Sequence, residues 1–266
     1  MEQRKRPEPL KEYLVNDLGN GIINITAPPM RFQQYLVLGE EKALLIDSGF
    51  GLDSMKKVVD GLTDLPVILA CTHGHPDHGG GYAELGSPML HPDDNALYER
   101  ACSYEARLDE ATHWGIEDAA QRLQPTPPAP VSMEDGYVFD LGGRKLTVYH
   151  TPGHSRGSVC ILDELTGYLF TGDNTQAMAT ALVEECATNV STYLASMEKL
   201  ATLPVKALCT GHMPAVVSPD IIGKKIEWAK RILAGEEPEN VRSRAGECLG
   251  MTVDGTSIHY TADRAN

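Results

Sequence analysis

Apolar residues along the chain recur in short runs of two kinds. Residues 21–25, 34–38 and 43–46 are β-favouring runs, and Gly39-Glu40-Glu41-Lys42 turns the last two into a hairpin, so the first quarter is predicted to be mostly antiparallel sheet. Leu52, Met55, Val58, Val59 and Leu62 share one helical face, which predicts a helix over 52–62. The short run 66–71 reads as a buried strand. Between 93 and 124 the composition shifts to Ala, Glu and Arg, with Tyr98, Tyr104 and Trp114 interspersed, and the stretch closes in the proline-rich segment 125–130. That pattern predicts one or two helices inserted over about 93–130 and ended by a stiff internal connector. Strands are expected again at 137–140, 146–150, 158–162, 168–171 and 205–209, helices at 191–203 and 219–234, and a closing hairpin at 247–260. Residues 1–9 read as a flexible tail and 10–266 as one domain.

Composition narrows the function. With 23 basic and 37 acidic side chains, the net charge of −14 works against extended contact with nucleic-acid phosphates or an anionic membrane. No segment reaches the roughly 18 apolar residues of a membrane span, and residues 1–13 hold no apolar stretch of the signal-peptide kind. The six cysteines are scattered without a Cys-x-x-Cys pair, which argues against a disulfide framework or a zinc ribbon and fits a reducing compartment. The expectation is a soluble cytoplasmic protein acting on a small molecule, with its oligomeric state left open.

One stretch stands apart: His73-Gly74-His75-Pro76-Asp77-His78. His73 and His75 lie two apart just past a strand, where alternation sends both imidazoles to one side, and Asp77 and His78 follow at the turn into Gly79-Gly80-Gly81. The three glycines are expected to let backbone crowd close to a metal centre. Three further strands end in a threonine and a glycine-containing turn followed by His or Asp: Thr151-Pro152-Gly153-His154, Thr171-Gly172-Asp173 and Thr210-Gly211-His212. If these strands share a direction, seven N and O ligands meet at one rim, too many for a tetrahedral ion but suited to two ions sharing a carboxylate. His91, His113, His150 and His259 read as ordinary surface or core histidines, and Cys71 and Cys209 as structural thiols within strands.

The ordered set, from Asp47-Ser48-Gly49 to Gly211-His212, resembles the metallo-β-lactamase superfamily of hydrolases. The resemblance implies an α/β (α+β) αββα sandwich with His73, His75 and His154 at metal site one. It puts Asp77, His78 and His212 at site two, with Asp173 bridging and Asp47 supporting the ligand loop from behind. It further implies two divalent ions, zinc first and iron or manganese as alternatives, with a hydroxide held between them attacking an ester, thioester or lactone and Asp77 orienting it. A small phosphodiester, or sulfur dioxygenation at a single iron, are the alternative reactions. Asp173 argues against true β-lactamases, and Asn174-Thr175-Gln176-Ala177-Met178 replaces the Gly-Cys-Gly-Arg-type segment usual in glyoxalase II. Gln176 stands where related lactonases commonly place a tyrosine. Met30 and Phe32 in loop 26–33, with Tyr98, Tyr104 and Trp114 in the helical insertion, are the expected pocket walls, which suits a partly apolar substrate.

Overall fold

The computed structural model describes residues 12–243, 246–253 and 256–266; the expected tail at 1–9 lies outside them. The first sheet has seven strands in chain order: β1 (Leu14–Asp17), β2 (Ile22–Ala27), β3 (Phe32–Leu38), β4 (Ala43–Ile46), β5 (Val67–Ala70), β6 (Met89–Leu90) and β7 (Val131–Ser132). Pairing is antiparallel from β1 to β4 and parallel from β4 to β7. Helix α1 (Met55–Asp60) connects β4 to β5, and the short α2 (Pro76–Gly79) follows β5. Helices α3 (Asn95–Ala101), α4 (Tyr104–His113) and α5 (Ala119–Arg122) fill the predicted insertion. The second sheet holds β8 (Val138–Asp140), β9 (Lys145–His150), β10 (Val159–Asp163) and β11 (Tyr168–Gly172). After β12 (Ala179–Leu182) and α6 (Val190–Ala201), it is completed by β13 (Ala207–Thr210) and β14 (Val216–Val217). Helix α7 (Asp220–Leu233) then leads to β15 (Glu239–Ser243), β16 (Gly246–Val253) and β17 (Thr256–Tyr260).

Strand alternation builds the layers. In β4, Leu44 and Ile46 enter the core between the sheets, with Tyr35, Phe139, Val148, Ile161 and Phe170, while Ala43 and Leu45 face the side occupied by Met55, Val59 and Tyr98. In the second sheet, Cys160, Leu162 and Leu208 turn the other way, toward Tyr193, Met197, Trp228 and Ile232 of α6 and α7. Helices, two sheets and helices therefore stack as the predicted αββα sandwich. Cys209 of β13 and Cys71, just past the end of β5, are buried in these cores.

One layer is richer than predicted. The expected closing hairpin is β16–β17, but it belongs to a four-stranded sheet ordered β12-β17-β16-β15, in which β12 runs parallel to β17. The run Ala-Thr-Ala-Leu of β12 offers too little alternation to announce a strand.

Two buried cations shape the interior. Arg107 of α4 is fully buried and gives its guanidinium to five carbonyls, those of Cys102, Phe50, Gly80, Gln124 and Pro125, at 2.8–3.1 Å. It thereby ties the helical insertion and its proline-rich exit to the turn that ends α2. Lys225 of α7 is also fully buried, and its Nζ donates to the Ser257 carbonyl of β17 at 2.5 Å. Burial lowers its pKa from 10.5 to about 7. Because the folded value lies below the unfolded one, the unfolded chain binds more protons between those two pH values, and this group's contribution to stability rises with pH across that window. In urea denaturation, the stability of wild type minus that of Lys225→Met is expected to increase by up to about 4 kcal/mol from pH 7 to pH 10. A difference independent of pH would contradict a buried, neutralised lysine.

Candidate metal centre

The strands β9, β11 and β13 run in one direction, since β9 and β11 are each antiparallel to β10 and β13 is parallel to β11. Their C-terminal ends deliver His154, Asp173 and His212 to the rim at which β5 delivers His73–His78. All seven predicted residues meet there. His73 Nε2 and His154 Nε2 each lie 3.0 Å from His75 Nδ1. Beside them, His212 Nε2 lies 3.3 Å from Asp77 Oδ2, and His78 Nε2 lies 3.7 Å from the same oxygen. Asp173 reaches both groups, with Oδ2 at 3.2 Å from His212 and 3.6 Å from His154, and Oδ1 at 3.3 Å from His78.

Hydrogen bonding on the outer side of the rings fixes what faces inward. Asp47 accepts from Thr72 N and Thr72 Oγ1 at 2.7 and 2.9 Å, and its Oδ2 lies 2.7 Å from His78 Nδ1. Since the Thr72 hydroxyl proton goes to Asp47, its oxygen accepts from His73 Nδ1 at 3.2 Å. His154 Nδ1 donates to the Ala181 carbonyl at 2.8 Å. A neutral ring that donates outward presents a bare lone pair inward. The converging nitrogens of His73, His78 and His154 are therefore acceptors facing acceptors, and buried His78 Nε2 and Asp173 Oδ1, 3.3 Å apart, make no well-formed hydrogen bond. A cation is what such a set lacks. Tetrahedral zinc with bonds of about 2.0–2.1 Å holds neighbouring nitrogens about 3.3 Å apart, close to the spacing found. The residues fit divalent-ion binding.

Without a cation, protons must do that work. Burial opposes charge on His212, but Asp173 and Asp77 outweigh it and lift its pKa to about 10. Burial likewise opposes charge on His78, and Asp77, Asp47 and Asp173 push it well above its ordinary value. Burial, reinforced by the neighbouring rings, drives His73 well below it. One site thus pulls its histidines in opposite directions, the electrostatic signature of a functional cluster.

The glycines serve a different purpose from the expected one. A Cβ on Gly79 would meet the Tyr98 ring at 2.6 Å, on Gly80 the Phe50 carbonyl at 2.5 Å, and on Gly81 the Ser48 carbonyl at 2.3 Å. These three let α2 dock on its neighbours. Crowding by the ligands themselves falls on Gly211, whose Cβ would lie 2.4 Å from His78 Cε1 and 2.5 Å from Asp173 Oδ1.

Of the expected wall residues, Phe32 is buried with its ring 5.5 Å from that of His212, and Trp114 packs on Phe32 at 5.8 Å. Phe50, absent from the predicted set, completes that wall at 4.6 Å from Trp114. Met30 is exposed, and Gln176 is half-buried beyond Asp173. Tyr104 is half-buried with its hydroxyl on the Ala120 carbonyl. Tyr98 sits in the core beneath the ligand loop, against Gly79 and Cys102, and its hydroxyl donates to the Pro128 carbonyl. His91 and His150 stack at 3.7 Å with Asp93 in reach, but near-parallel ring planes do not aim their in-plane lone pairs at one ion.

Two supporting residues carry no motif. Asp94 is buried and accepts from Gly74 N at 2.8 Å, Ser155 Oγ at 2.6 Å and Gly157 N at 2.7 Å, bracing the first ligand loop against the His154 loop. Asn174 accepts from His154 N at 3.0 Å and donates to the Thr151 carbonyl. Only Asn174, directly after Asp173, is hinted at by its place in the sequence; nothing in the sequence around Asp94 marks its role.

Fold and site together define a metal-dependent hydrolase built on facing sheets. Residues 33–212 match the family described as the metallo-beta-lactamase superfamily, and the chain belongs to it. It is 31% identical to an acyl-coenzyme A thioesterase MBLAC2 of Gallus gallus over 68% of this chain and 70% of that protein. It is 25% identical to an atrochrysone carboxyl ACP thioesterase of Emericella nidulans (strain FGSC A4) over 83% of this chain and 66% of that protein. Among solved structures, TTHA1623 in a di-iron-bound form superimposes with a TM-score of 0.59 at 29% identity, covering 76% of this chain and 97% of that one.

Gly211→Ala is expected to displace His78 and Asp173 and weaken divalent-ion binding by about tenfold or more while the circular dichroism spectrum stays native. Gly223→Ala, at a helix position open to solvent, is the matched control and should leave binding unchanged. Equal affinity in the two variants, read by chelator competition, would contradict the close approach at Gly211.

Proposed function

We propose that this chain is a binuclear, divalent-metal-dependent thioesterase acting on a small-molecule acyl thioester such as an acyl-coenzyme A. The observation that carries this reading is the pair of side-chain groups that Asp173 reaches on both sides, with lone pairs turned inward and two buried atoms left without a hydrogen bond. The thioesterase names of the relatives support the substrate class. His73, His75 and His154 hold one ion, Asp77, His78 and His212 the other, and Asp173 serves both. Zinc is the first choice on ligand type, with iron as the alternative that the di-iron relative supports.

Two divalent ions bound there supply a water acidified toward neutral pH and a Lewis acid for the thioester carbonyl. The chain supplies the rest. Asp77 would orient the attacking water, and the Phe32, Phe50 and Trp114 rings form an apolar wall beside His212. Attack on the carbonyl carbon breaks the C–S bond, releasing a carboxylic acid and a thiol. A thiolate, with a conjugate-acid pKa of about 8.5, departs far more readily than an alkoxide and needs no separate general acid. Residues 10–266 are read as one functional unit. Six free, buried cysteines support work in a reducing cytoplasm, and the charge of −14 supports a small substrate rather than nucleic acid or membrane. No helix among the described residues is long and apolar enough to cross a membrane.

Zinc-loaded protein is expected to hydrolyse acyl-coenzyme A and simple acyl thioesters faster than lactones or phosphodiesters. Chelation should abolish turnover and zinc restore it, and His154→Ala or Asp173→Ala should lower kcat/KM by about a hundredfold or more. Preferential phosphodiester turnover, or oxygen uptake with a persulfide at one iron per chain, would replace the thioesterase reading.

A further inference from the structure

The four most buried ligand histidines differ in what holds their outer nitrogen. For His73, His78 and His154 the partner belongs to a strand or its immediate end: Thr72, Asp47 and the Ala181 carbonyl. The outer nitrogen of His75, Nε2, instead faces the turn after β12, where Glu184 Oε2 lies at 3.2 Å and Cys186 Sγ at 3.4 Å. A carboxylate is the stronger acceptor of the two. Nδ1 of His75 is the atom that converges with His73 and His154, so a proton on Nε2 is what keeps Nδ1 free to ligate.

The turn that carries Glu184 is itself tied down from the end of the chain. Arg264 donates Nη2 to the Glu184 carbonyl at 2.8 Å and Nη1 to the carbonyls of Ala187 and Thr188. The Asn266 carbonyl accepts from Ser191 N at 3.1 Å. Strand β12, which supplies the Ala181 carbonyl to His154, is paired with β17. Two of the three histidines of site one are thus oriented from the four-stranded sheet and the C-terminal turn. Strands β15–β17 and that turn lie beyond residue 212, where the family match ends.

We propose that Glu184 is a positioning residue for site one: its carboxylate takes the Nε2–H of His75 and fixes the tautomer that presents Nδ1, and Arg264 holds Glu184 in place. The inference rests on the binuclear reading above. The Glu184 side chain is 42% exposed, so its replacement leaves the core intact.

The test is zinc affinity by competition with a chromophoric chelator, together with the visible absorption of the cobalt-substituted protein. Glu184→Ala is expected to weaken one of two bound ions by about tenfold or more and to change the cobalt spectrum, leaving the second ion's affinity as in wild type. Glu184→Gln keeps an acceptor oxygen and should stay within about threefold of wild type. Arg264→Ala should weaken the same ion by less, and Glu185→Ala, which removes an exposed neighbouring charge, should change nothing. Wild-type affinity and spectrum in Glu184→Ala, or equal loss in Glu185→Ala, would overturn the assignment while the binuclear site stood. So would a third ion per chain lost in Cys186→Ala, since Nε2 would then be a ligand rather than a donor. Wild-type protein that binds no divalent ion would overturn the binuclear reading itself, and this inference with it.

Discussion

Everything at the rim follows from one electrostatic constraint: five imidazoles and three carboxylates occupy a single, mostly buried cluster, and their outer hydrogen bonds turn lone pairs inward. Asp47 sets much of this. By taking the Thr72 hydroxyl proton and the His78 Nδ1 proton, it decides the orientation of two ligand rings at once. It sits in the left-handed region at φ 62°, a strained conformation that Asp tolerates better than most residues, and so leaves β4 pointed at the loop behind the site. A cluster arranged in this way has unmatched negative charge and lone pairs at its centre, and divalent cations resolve both together.

The surrounding fold serves that arrangement. Parallel pairing in the first sheet and the shared direction of β9, β11 and β13 bring four loops to one edge. Asp94 then braces the loop after β5 against the loop after β9, and Arg107 joins the helical insertion to the end of α2. Both are buried charged groups with several hydrogen bonds each, which makes their geometry specific and the loss of a partner costly. The loops that carry the rim residues are thus also held by hydrogen bonds among the chain's own groups.

How much of this was legible in the sequence depended on which physical signal carried it. The His73–His78 stretch marked four of the seven rim residues and the strand ends of threonine, glycine, then His or Asp marked the other three, because those residue types recur where strands end at one rim. Alternation and helical periodicity located the principal strands and helices of the sandwich. What stayed hidden depended on tertiary contact. Asp94 and Asp93 are adjacent and chemically identical, yet only Asp94 is buried against two ligand loops. Gly79, Gly80 and Gly81 looked like room for a metal, whereas they accommodate Tyr98, Phe50 and Ser48; Gly211, a single glycine in a turn, is the one pressed against ligands. The short β12 gave no periodic signal, so its pairing with the predicted closing hairpin went unseen and Ala181, Glu184 and Cys186 could not be connected to His154 and His75 beforehand.

The proposed binuclear thioesterase, and the proposed orientation of site one that rests on it, stand on two ions sharing Asp173. The most direct measurement is anomalous X-ray diffraction from crystals of zinc-loaded protein, recorded above and below the zinc edge. The account predicts two anomalous peaks per chain, one among His73, His75 and His154 and one among Asp77, His78 and His212, with Asp173 touching both. A single peak confined to the first three histidines, or one lying outside the cluster, would contradict it.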